Sequence, residues 1–204
     1  ADLLALLLAV EGTPATALVR PQSGERLRIG RALDLGAAGI MVPRLDTAEQ
    51  AREAVTFLRY PPGGARGVAL RTRALQLGSI AHADVRHMNG SILGIVQIES
   101  EAAVDEADAI AAIDGVDVLF VGPADLSHSL GVPGQFGDER FTAALRTVVA
   151  ACRAHGKSPG ILLYDPATFG PYIELGFRFV GLGSESSFIA ERAAAMLSAV
   201  PRRG

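Results

Sequence analysis

The sequence predicts an α/β fold built on a parallel β-sheet. Short apolar runs rich in Val, Ile and Leu alternate with segments of helical pattern along the chain. Most of these runs are continuously apolar, which is typical of parallel strands covered on both faces. Regular alternation of strands and helices leaves two architectures open: a doubly wound open sheet and a (β/α)8 barrel.

In the first half of the chain, the pattern predicts helices and strands that are separated by Gly- and Pro-containing turns. Asp46 and Glu49 have the D-x-x-E spacing of a capping box, which indicates the start of the third helix. Residues 68–89 show no clear period. We expect helices at 3–10, 26–35 and 46–58, strands at 15–20 and 39–43, and a loop at 60–67.

The second half of the chain shows the same alternation more clearly. The predicted strands are 91–99, 116–122, 159–164 and 177–183, and the predicted helices are 102–113, 138–155, 167–175 and 186–199. A loop punctuated by Pro and Gly is expected at 123–137. The two halves together make six strand–helix units, whereas a closed barrel of this type has eight strands. We therefore expect one barrel domain over residues 1–204 that is incomplete at its N-terminus and lacks its first one or two units.

Composition restricts the possible partners and the compartment. The net charge of −3 gives no reason to expect nucleic acid or an anionic membrane as a partner. The longest apolar run, Leu3–Val10, is far too short to span a bilayer. Cys152 is the single cysteine, so no disulfide can form within the chain, and we expect a cytoplasmic protein with this thiol buried in a helix.

Polar residues stand at the predicted carboxyl ends of several strands, where parallel barrels carry their chemistry. Gln97 and Glu99 share one face of a strand because they are two residues apart. Asp125 follows the next strand, so two carboxylates are expected to lie close together. Such a pair suits a hard divalent cation such as Mg²⁺, Mn²⁺ or Co²⁺. The alternative is that both acids only cap helix N-termini.

Other polar residues point less strongly to one role. Arg20, at the end of the first strand, could bind a carboxylate or form a surface ion pair. Asp34 lies at the end of a helix, where the dipole disfavours an acid, and this indicates a specific partner. The only lysine, Lys157, precedes a strand and so belongs at the amino end of the sheet. Since a Schiff-base aldolase needs its lysine at the reacting carbon, an aldolase with this sequence should use a metal.

Several ordered motifs identify a family. Together they resemble the HpcH/HpaI class II aldolase family over most of the chain, from about residue 18 to residue 195. The motifs are Leu33-Asp34-Leu35-Gly36 with residues 39–43, Arg59-Tyr60-Pro61-Pro62-Gly63 with Arg66-Gly67, Val96-Gln97-Ile98-Glu99, and Gly115-Val116-Asp117 followed by VGPADLS at 121–127.

The resemblance implies a (β/α)8 barrel and a metal-dependent carbon–carbon lyase. Such an enzyme interconverts a 4-hydroxy-2-oxo acid with pyruvate and an aldehyde through a metal-stabilised pyruvate enolate. Glu99 and Asp125 would be the metal ligands, and Arg20 would stabilise the enolate oxygen. Asp34 matches the acid of a His–Asp pair whose histidine lies upstream of this sequence in the family. The remaining substrate-binding residues would be Gln97, Pro123, Ala124 and Leu162.

Two other functions stay open at this point. The first is a related lyase of the malyl-CoA or citramalyl-CoA type, for which Arg66, Arg71 and Arg73 could bind the CoA phosphates. The second is a truncated, non-catalytic paralogue that only oligomerises. The resemblance also implies a homo-oligomer, a trimer or a hexamer, and the helix at 186–199 could pack between subunits.

Overall fold

A computed structural model describes residues 3–200, and in that range six strands form one parallel sheet. The strands pair strictly in sequence order, each with the next along the chain. Every connection therefore steps in the same direction, as in a barrel, whereas a doubly wound sheet reverses its strand order. The strands are β1 (Leu18–Val19), β2 (Gly39–Val42), β3 (Leu93–Ile98), β4 (Val118–Val121), β5 (Ser158–Leu163) and β6 (Phe179–Leu182).

Helices connect the strands. They are α1 (Leu3–Val10), α2 (Arg26–Asp34), α3 (Ala48–Thr56), α4 (Glu101–Asp105), α5 (Ala107–Ala111), α6 (Pro123–Ser129), α7 (Glu139–Ala154), α8 (Phe169–Leu175) and α9 (Glu185–Ser198). The long connection between α3 and β3 contains two 3₁₀ stretches, Arg73–Gly78 and His82–Ser91. Within the described residues, no helix is both long enough and apolar enough to cross a lipid bilayer.

The two faces of the sheet pack against different partners. On one face, Val96, Ile98 and Leu119 belong to the main hydrophobic core, together with the inward residues of the helices. On the other face, Ile95 and Phe120 belong to a separate small cluster that is built mainly from strand residues. The helices therefore cover only one face, and the sheet curls as a half-barrel with the strand-lined cluster on its inner side.

Two predicted elements differ from the structure. The helix expected at 102–113 is divided at Glu106, whose carboxylate accepts a hydrogen bond from the backbone N–H of Ala48 in α3 at 3.2 Å. The loop expected at 123–137 begins with α6. Pro123 is the first residue of that helix, where its fixed φ and missing N–H are favourable, so this proline starts a helix instead of marking a loop.

The predicted capping box of α3 is wrong by one residue. Thr47 is the N-cap, and its hydroxyl accepts a hydrogen bond from the backbone N–H of Gln50 at 3.2 Å. The Gln50 side chain in turn accepts from the N-cap backbone, which completes the box. Asp46 lies outside the helix and accepts a hydrogen bond from the Ser100 hydroxyl.

The buried position of Cys152 is confirmed. The residue lies in α7 with no exposed surface, and burial raises the pKa of its thiol to about 11.

Candidate active site

The carboxyl ends of the strands surround one cavity of about 260 Å³. β3 and β4 pair in the register Ile98 with Val121, so Glu99, just after β3, stands beside Gly122, just after β4. Asp125 follows in the first turn of α6. The cavity is lined by Arg20, Arg44, Gln97, Glu99, Phe120, Gly122, Pro123, Ala124, Asp125, Leu162 and Tyr164.

Glu99 is half-buried in this cavity. Its Oε2 accepts a hydrogen bond from the backbone N–H of Arg44 at 3.2 Å. Burial raises the pKa of the Glu99 carboxyl, this hydrogen bond lowers it, and the nearby negative charge of Asp125 raises it again. The charges of Arg20 and Arg44 have a smaller, lowering effect, and the net pKa stays above the ordinary value. Burial and the charge of Asp125 therefore disfavour the ionised Glu99 carboxylate, and a cation between the two acids would stabilise it.

Gly122 allows the Glu99 side chain to lie where it does. A Cβ atom added to Gly122 would stand 2.9 Å from Cγ and 3.0 Å from Oε1 of Glu99. Real Cβ atoms essentially never approach other atoms that closely, so any larger residue would displace the carboxylate.

Gln97 adds an amide oxygen to the cavity, from the same face of β3 as Glu99. Its side chain is 6% exposed, and its Oε1 atom is buried without a hydrogen-bond partner. A buried polar atom without a partner is costly in free energy, so such an atom in a cavity indicates a missing ligand or water. Gln97 precedes Glu99 by two residues, so both side chains leave the strand on the inner face of the sheet.

These oxygen donors suit a hard divalent cation. Two carboxylates and one amide oxygen are ligands of the kind that Mg²⁺ prefers, with water and substrate filling the remaining positions. Among residues 3–200, no group of three or more His, Cys, Asp and Glu side chains could hold a metal ion. Glu99 and Asp125, with the Gln97 oxygen beside them, therefore fit an ion that shares its coordination with water and substrate, and they do not fit a closed structural site.

The structure brings most of the predicted site residues together and leaves one apart. Asp34 does not line the cavity. The other predicted residues do: Arg20, Gln97, Glu99, Pro123, Ala124, Asp125 and Leu162. Asp34 is the last residue of α2, which runs back from the carboxyl end of β1 towards the amino end of β2. Its carboxylate accepts a hydrogen bond from Arg66 at 2.9 Å, and the buried Arg66 guanidinium lies 4.3 Å from the centre of the Tyr60 ring. The position of Asp34 at a helix end predicted a specific partner for its carboxylate, and in this structure that partner is Arg66.

Sequence reasoning missed four residues of the cavity: Arg44, Phe120, Gly122 and Tyr164. Arg44 follows β2 as Arg20 follows β1, and Tyr164 directly follows β5, so the strand-end rule would have found both. Gly122 and Phe120 carry no polar signal that the rule could use.

Two further residues lie away from the cavity. His128 is an exposed residue of α6 and does not line it. Lys157 precedes β5 and lines a different cavity together with Asp114 and Asp117, at the amino ends of the strands. The expectation for Lys157 is confirmed, so the only lysine of the sequence is unsuited to form a Schiff base in the candidate site.

Comparison with known proteins gives a consistent result. The family described as HpcH/HpaI aldolase/citrate lyase matches residues 1–191. A 5-keto-4-deoxy-D-glucarate aldolase of Klebsiella pneumoniae is 39% identical over 183 residues, which cover 90% of this chain and 71% of the relative. A 2-keto-3-deoxy-L-rhamnonate aldolase of the same species is 38% identical over 186 residues, which cover 91% of this chain and 69% of the relative. The crystal structure of an HpcH/HpaI aldolase/citrate lyase family protein from Burkholderia cenocepacia superposes with a TM-score of 0.91 at 35% identity, covering 97% of this chain and 79% of that one.

Proposed function

We infer the function of this chain from the premise that it belongs to the HpcH/HpaI aldolase/citrate lyase family. It is a class II aldolase, a carbon–carbon lyase that acts on small molecules. Its two relatives are named for keto-deoxy sugar acids. We propose that this chain likewise cleaves a sugar-acid-derived 4-hydroxy-2-oxo acid into pyruvate and an aldehyde, and also catalyses the reverse reaction.

The observation that carries this proposal is the meeting of Glu99, Asp125 and Arg20 around one cavity. Divalent-metal dependence is typical of the family. Glu99 and Asp125 would hold Mg²⁺, Mn²⁺ or Co²⁺, and the unpartnered oxygen of Gln97 would accept from a water of that ion or orient the ligands. When bound, such a cation supplies Lewis-acid polarisation of the 2-oxo group of the substrate.

The side chains of the chain itself bind the substrate and stabilise charge. Cleavage removes the proton of the 4-hydroxyl group, breaks the C3–C4 bond and leaves an electron pair that is delocalised onto the 2-oxo oxygen. The Arg20 guanidinium donates hydrogen bonds to that oxygen and stabilises its negative charge. Protonation of C3 then gives pyruvate. Pro123, Ala124 and Leu162 line the cavity and exclude water from the enolate.

Asp34 is proposed as a positioning residue for proton transfer. This role rests on its place in the family's Leu-Asp-Leu-Gly motif, in which the acid pairs with a histidine. Arg66, which donates to the Asp34 carboxylate, would hold that side chain in a fixed orientation.

Two further proposals concern the architecture. We propose that the curled sheet works as part of a closed (β/α)8 barrel, because β1 and β6 each have only one paired neighbour among the described strands. We also propose a homo-oligomer in which α9 packs against another copy. None of the residues of α9 is buried, and Phe188, Ile189, Met196 and Leu197 are all more than half exposed. Sedimentation of the wild type and of a variant with Phe188 and Ile189 changed to Ser tests the second proposal.

The acyl-CoA alternative receives no specific support from the structure. It requires a basic groove for the CoA phosphates, for which Arg66, Arg71 and Arg73 are the candidates. Arg66 is buried against Asp34, and Arg73 forms an ion pair with Glu11.

The proposed function is tested by pyruvate release from a 4-hydroxy-2-oxo acid. We expect activity to be lost in EDTA and restored by Mg²⁺, Mn²⁺ or Co²⁺. Activity that survives chelation, together with an adduct trapped by borohydride, would show that the metal mechanism is wrong.

A further inference from the structure

Tyr164 stands at the carboxyl end of β5, on the inner side of the sheet. Ile161 and Leu163 of β5 belong to the main core under the helices, whereas Leu162 packs against the strand-lined cluster on the inner side. Successive side chains of a strand point to opposite faces, so Tyr164, two residues after Leu162, shares its inner face. Tyr164 lines the candidate active-site cavity and is 57% exposed. The phenol is therefore open to a ligand that enters this cavity.

The strand order places the two acids of the cavity between the arginines and this tyrosine. Arg20 and Arg44 follow β1 and β2, Glu99 and Asp125 follow β3 and β4, and Tyr164 follows β5. β5 is the direct neighbour of β4, with Ile161 paired to Val121. On the β5 side of the acids, the other described lining residues have apolar side chains: Pro123, Ala124 and Leu162. Tyr164 therefore supplies the side-chain hydrogen-bond donor on that side.

Arg44 lies on the opposite side and already contacts Glu99. Its φ of +57° lies in the left-handed region, which is unfavourable for a residue other than glycine. In this conformation its backbone N–H donates a hydrogen bond to Oε2 of Glu99 at 3.2 Å. Since Arg44 follows the strand next to that of Arg20, the two guanidinium groups approach a substrate from the same side of the acids.

The proposed reaction develops negative charge on two substrate oxygens. The first is the 4-oxygen, when its hydroxyl proton leaves, and the second is the 2-oxo oxygen, when the C3–C4 bond breaks. The proposed function assigns Arg20 to the 2-oxo oxygen and no side chain to the 4-oxygen. A phenol is a neutral O–H donor, and donors already directed at developing charge are among the largest contributors to catalysis.

We propose that the Tyr164 hydroxyl donates a hydrogen bond to the 4-oxygen of the substrate. This inference rests on the proposed function and adds a catalytic residue to it. Tyr164 keeps its proton throughout and stabilises the charge on the 4-oxygen while the C3–C4 bond breaks. In the reverse reaction the same hydrogen bond polarises the aldehyde carbonyl group and orients it towards the enolate. Tyr164 therefore acts on the carbon–carbon bond and not on formation of the pyruvate enolate.

Two reactions that share this enolate test the proposal. Cleavage of 4-hydroxy-2-oxopentanoate to pyruvate and acetaldehyde involves the 4-oxygen, whereas exchange of the pyruvate methyl protons in D₂O does not. We expect Tyr164→Phe to lower kcat/KM for cleavage by about 10–100-fold. Its Mg²⁺-dependent exchange rate should stay within about twofold of the wild-type rate, because no group on the pyruvate half is changed. The matched control is Tyr172→Phe in α8, which does not line the cavity and should retain both activities.

Ligand binding provides a readout without turnover. 2,4-Dioxopentanoate carries an oxygen on C4 but has no 4-hydroxyl group, so the proposed reaction cannot cleave it, and 2-oxopentanoate lacks the C4 oxygen. In calorimetry with Mg²⁺ present, we expect the preference of the wild type for the dioxo acid to fall about three- to tenfold in Tyr164→Phe. Tyr172→Phe should keep the wild-type preference.

The outcomes separate this inference from the proposed function. Absence of Mg²⁺-dependent exchange in the wild type would count against the proposed function itself. With wild-type exchange present, undiminished cleavage or an unchanged binding preference in Tyr164→Phe would overturn the role of Tyr164. Parallel loss of exchange and cleavage in that variant would also overturn it, because the effect would then lie on the pyruvate half or on the shape of the cavity.

Discussion

Gly122 and Glu99 lie side by side at neighbouring strand ends, and a single added methyl group on Gly122 would come within 3.0 Å of the Glu99 carboxylate. Glu99 accepts a hydrogen bond from the next strand end through the backbone N–H of Arg44. The proposed metal ligand is therefore positioned by the backbone on both sides, and this makes its placement sensitive to small substitutions.

Substitution of Gly122 by Ala should displace the Glu99 carboxylate. We expect kcat/KM for pyruvate release to fall roughly 10–100-fold, because small displacements of a catalytic group have effects of this size. Gly30→Ala is the matched control, since a Cβ atom on Gly30, inside α2, meets no atom within 4 Å. Wild-type kinetics of Gly122→Ala would contradict the proposed role of Glu99.

Glu99→Gln should separate stability from activity. The raised pKa of Glu99 means that its ionised form is disfavoured in the folded chain, so a neutral amide should not lower the free energy of unfolding. We expect a metal-free melting temperature at neutral pH equal to or above that of the wild type, with kcat/KM lower by at least about 100-fold. Calorimetric melting and pyruvate release measure the two effects. A clear loss of stability would show that ionised Glu99 is structurally required.

Asp34→Asn tests the assignment of Asp34 to proton transfer. We expect kcat for pyruvate release to fall by about tenfold or more, with little change in KM, because substrate binding does not involve this side chain. Arg66→Met is the companion variant, which should lower the free energy of unfolding by about 1–3 kcal/mol by removing the buried partner of Asp34. A normal kcat and pH profile in folded Asp34→Asn would leave this residue with only a structural role.

Cys152 should make stability depend on pH in the alkaline range. Its folded pKa of about 11 lies above the 9.0 of an ordinary thiol, so the stabilising contribution is complete below pH 9. It is lost progressively as the pH rises towards 11, by an amount on the order of 2 kcal/mol. Urea unfolding of the wild type between pH 8 and 11 should show a steeper decline than unfolding of Cys152→Ala. Parallel declines would contradict this account of the buried thiol.

The sequence predicted those features that depend on pattern. Apolar runs located all six strands, and the rule that chemistry lies at the carboxyl ends of parallel strands located Arg20, Glu99 and Asp125. The same rule pointed to Gln97, and the family resemblance added Pro123, Ala124 and Leu162; all four also line the cavity.

Features that depend on contacts between distant parts of the chain could not be predicted from sequence pattern. Thr47 takes the N-cap of α3, and the Asp46 side chain instead accepts a hydrogen bond from the hydroxyl of Ser100, which lies 54 positions away along the chain. The functional importance of Gly122 arises from a side chain on a neighbouring strand end, and the left-handed conformation of Arg44 has no signal in its residue type. The partner of Asp34 lies 32 positions away along the chain.

The central claim is that Glu99 and Asp125 hold one divalent cation, and Mn²⁺ binding measured by electron paramagnetic resonance tests it most directly. We expect one Mn²⁺ per chain in the wild type and an affinity at least about 100-fold lower in Glu99→Gln and in Asp125→Asn. Glu101→Gln, at an exposed acid of α4, should bind like the wild type. Unchanged Mn²⁺ affinity in both Glu99→Gln and Asp125→Asn would contradict the claim.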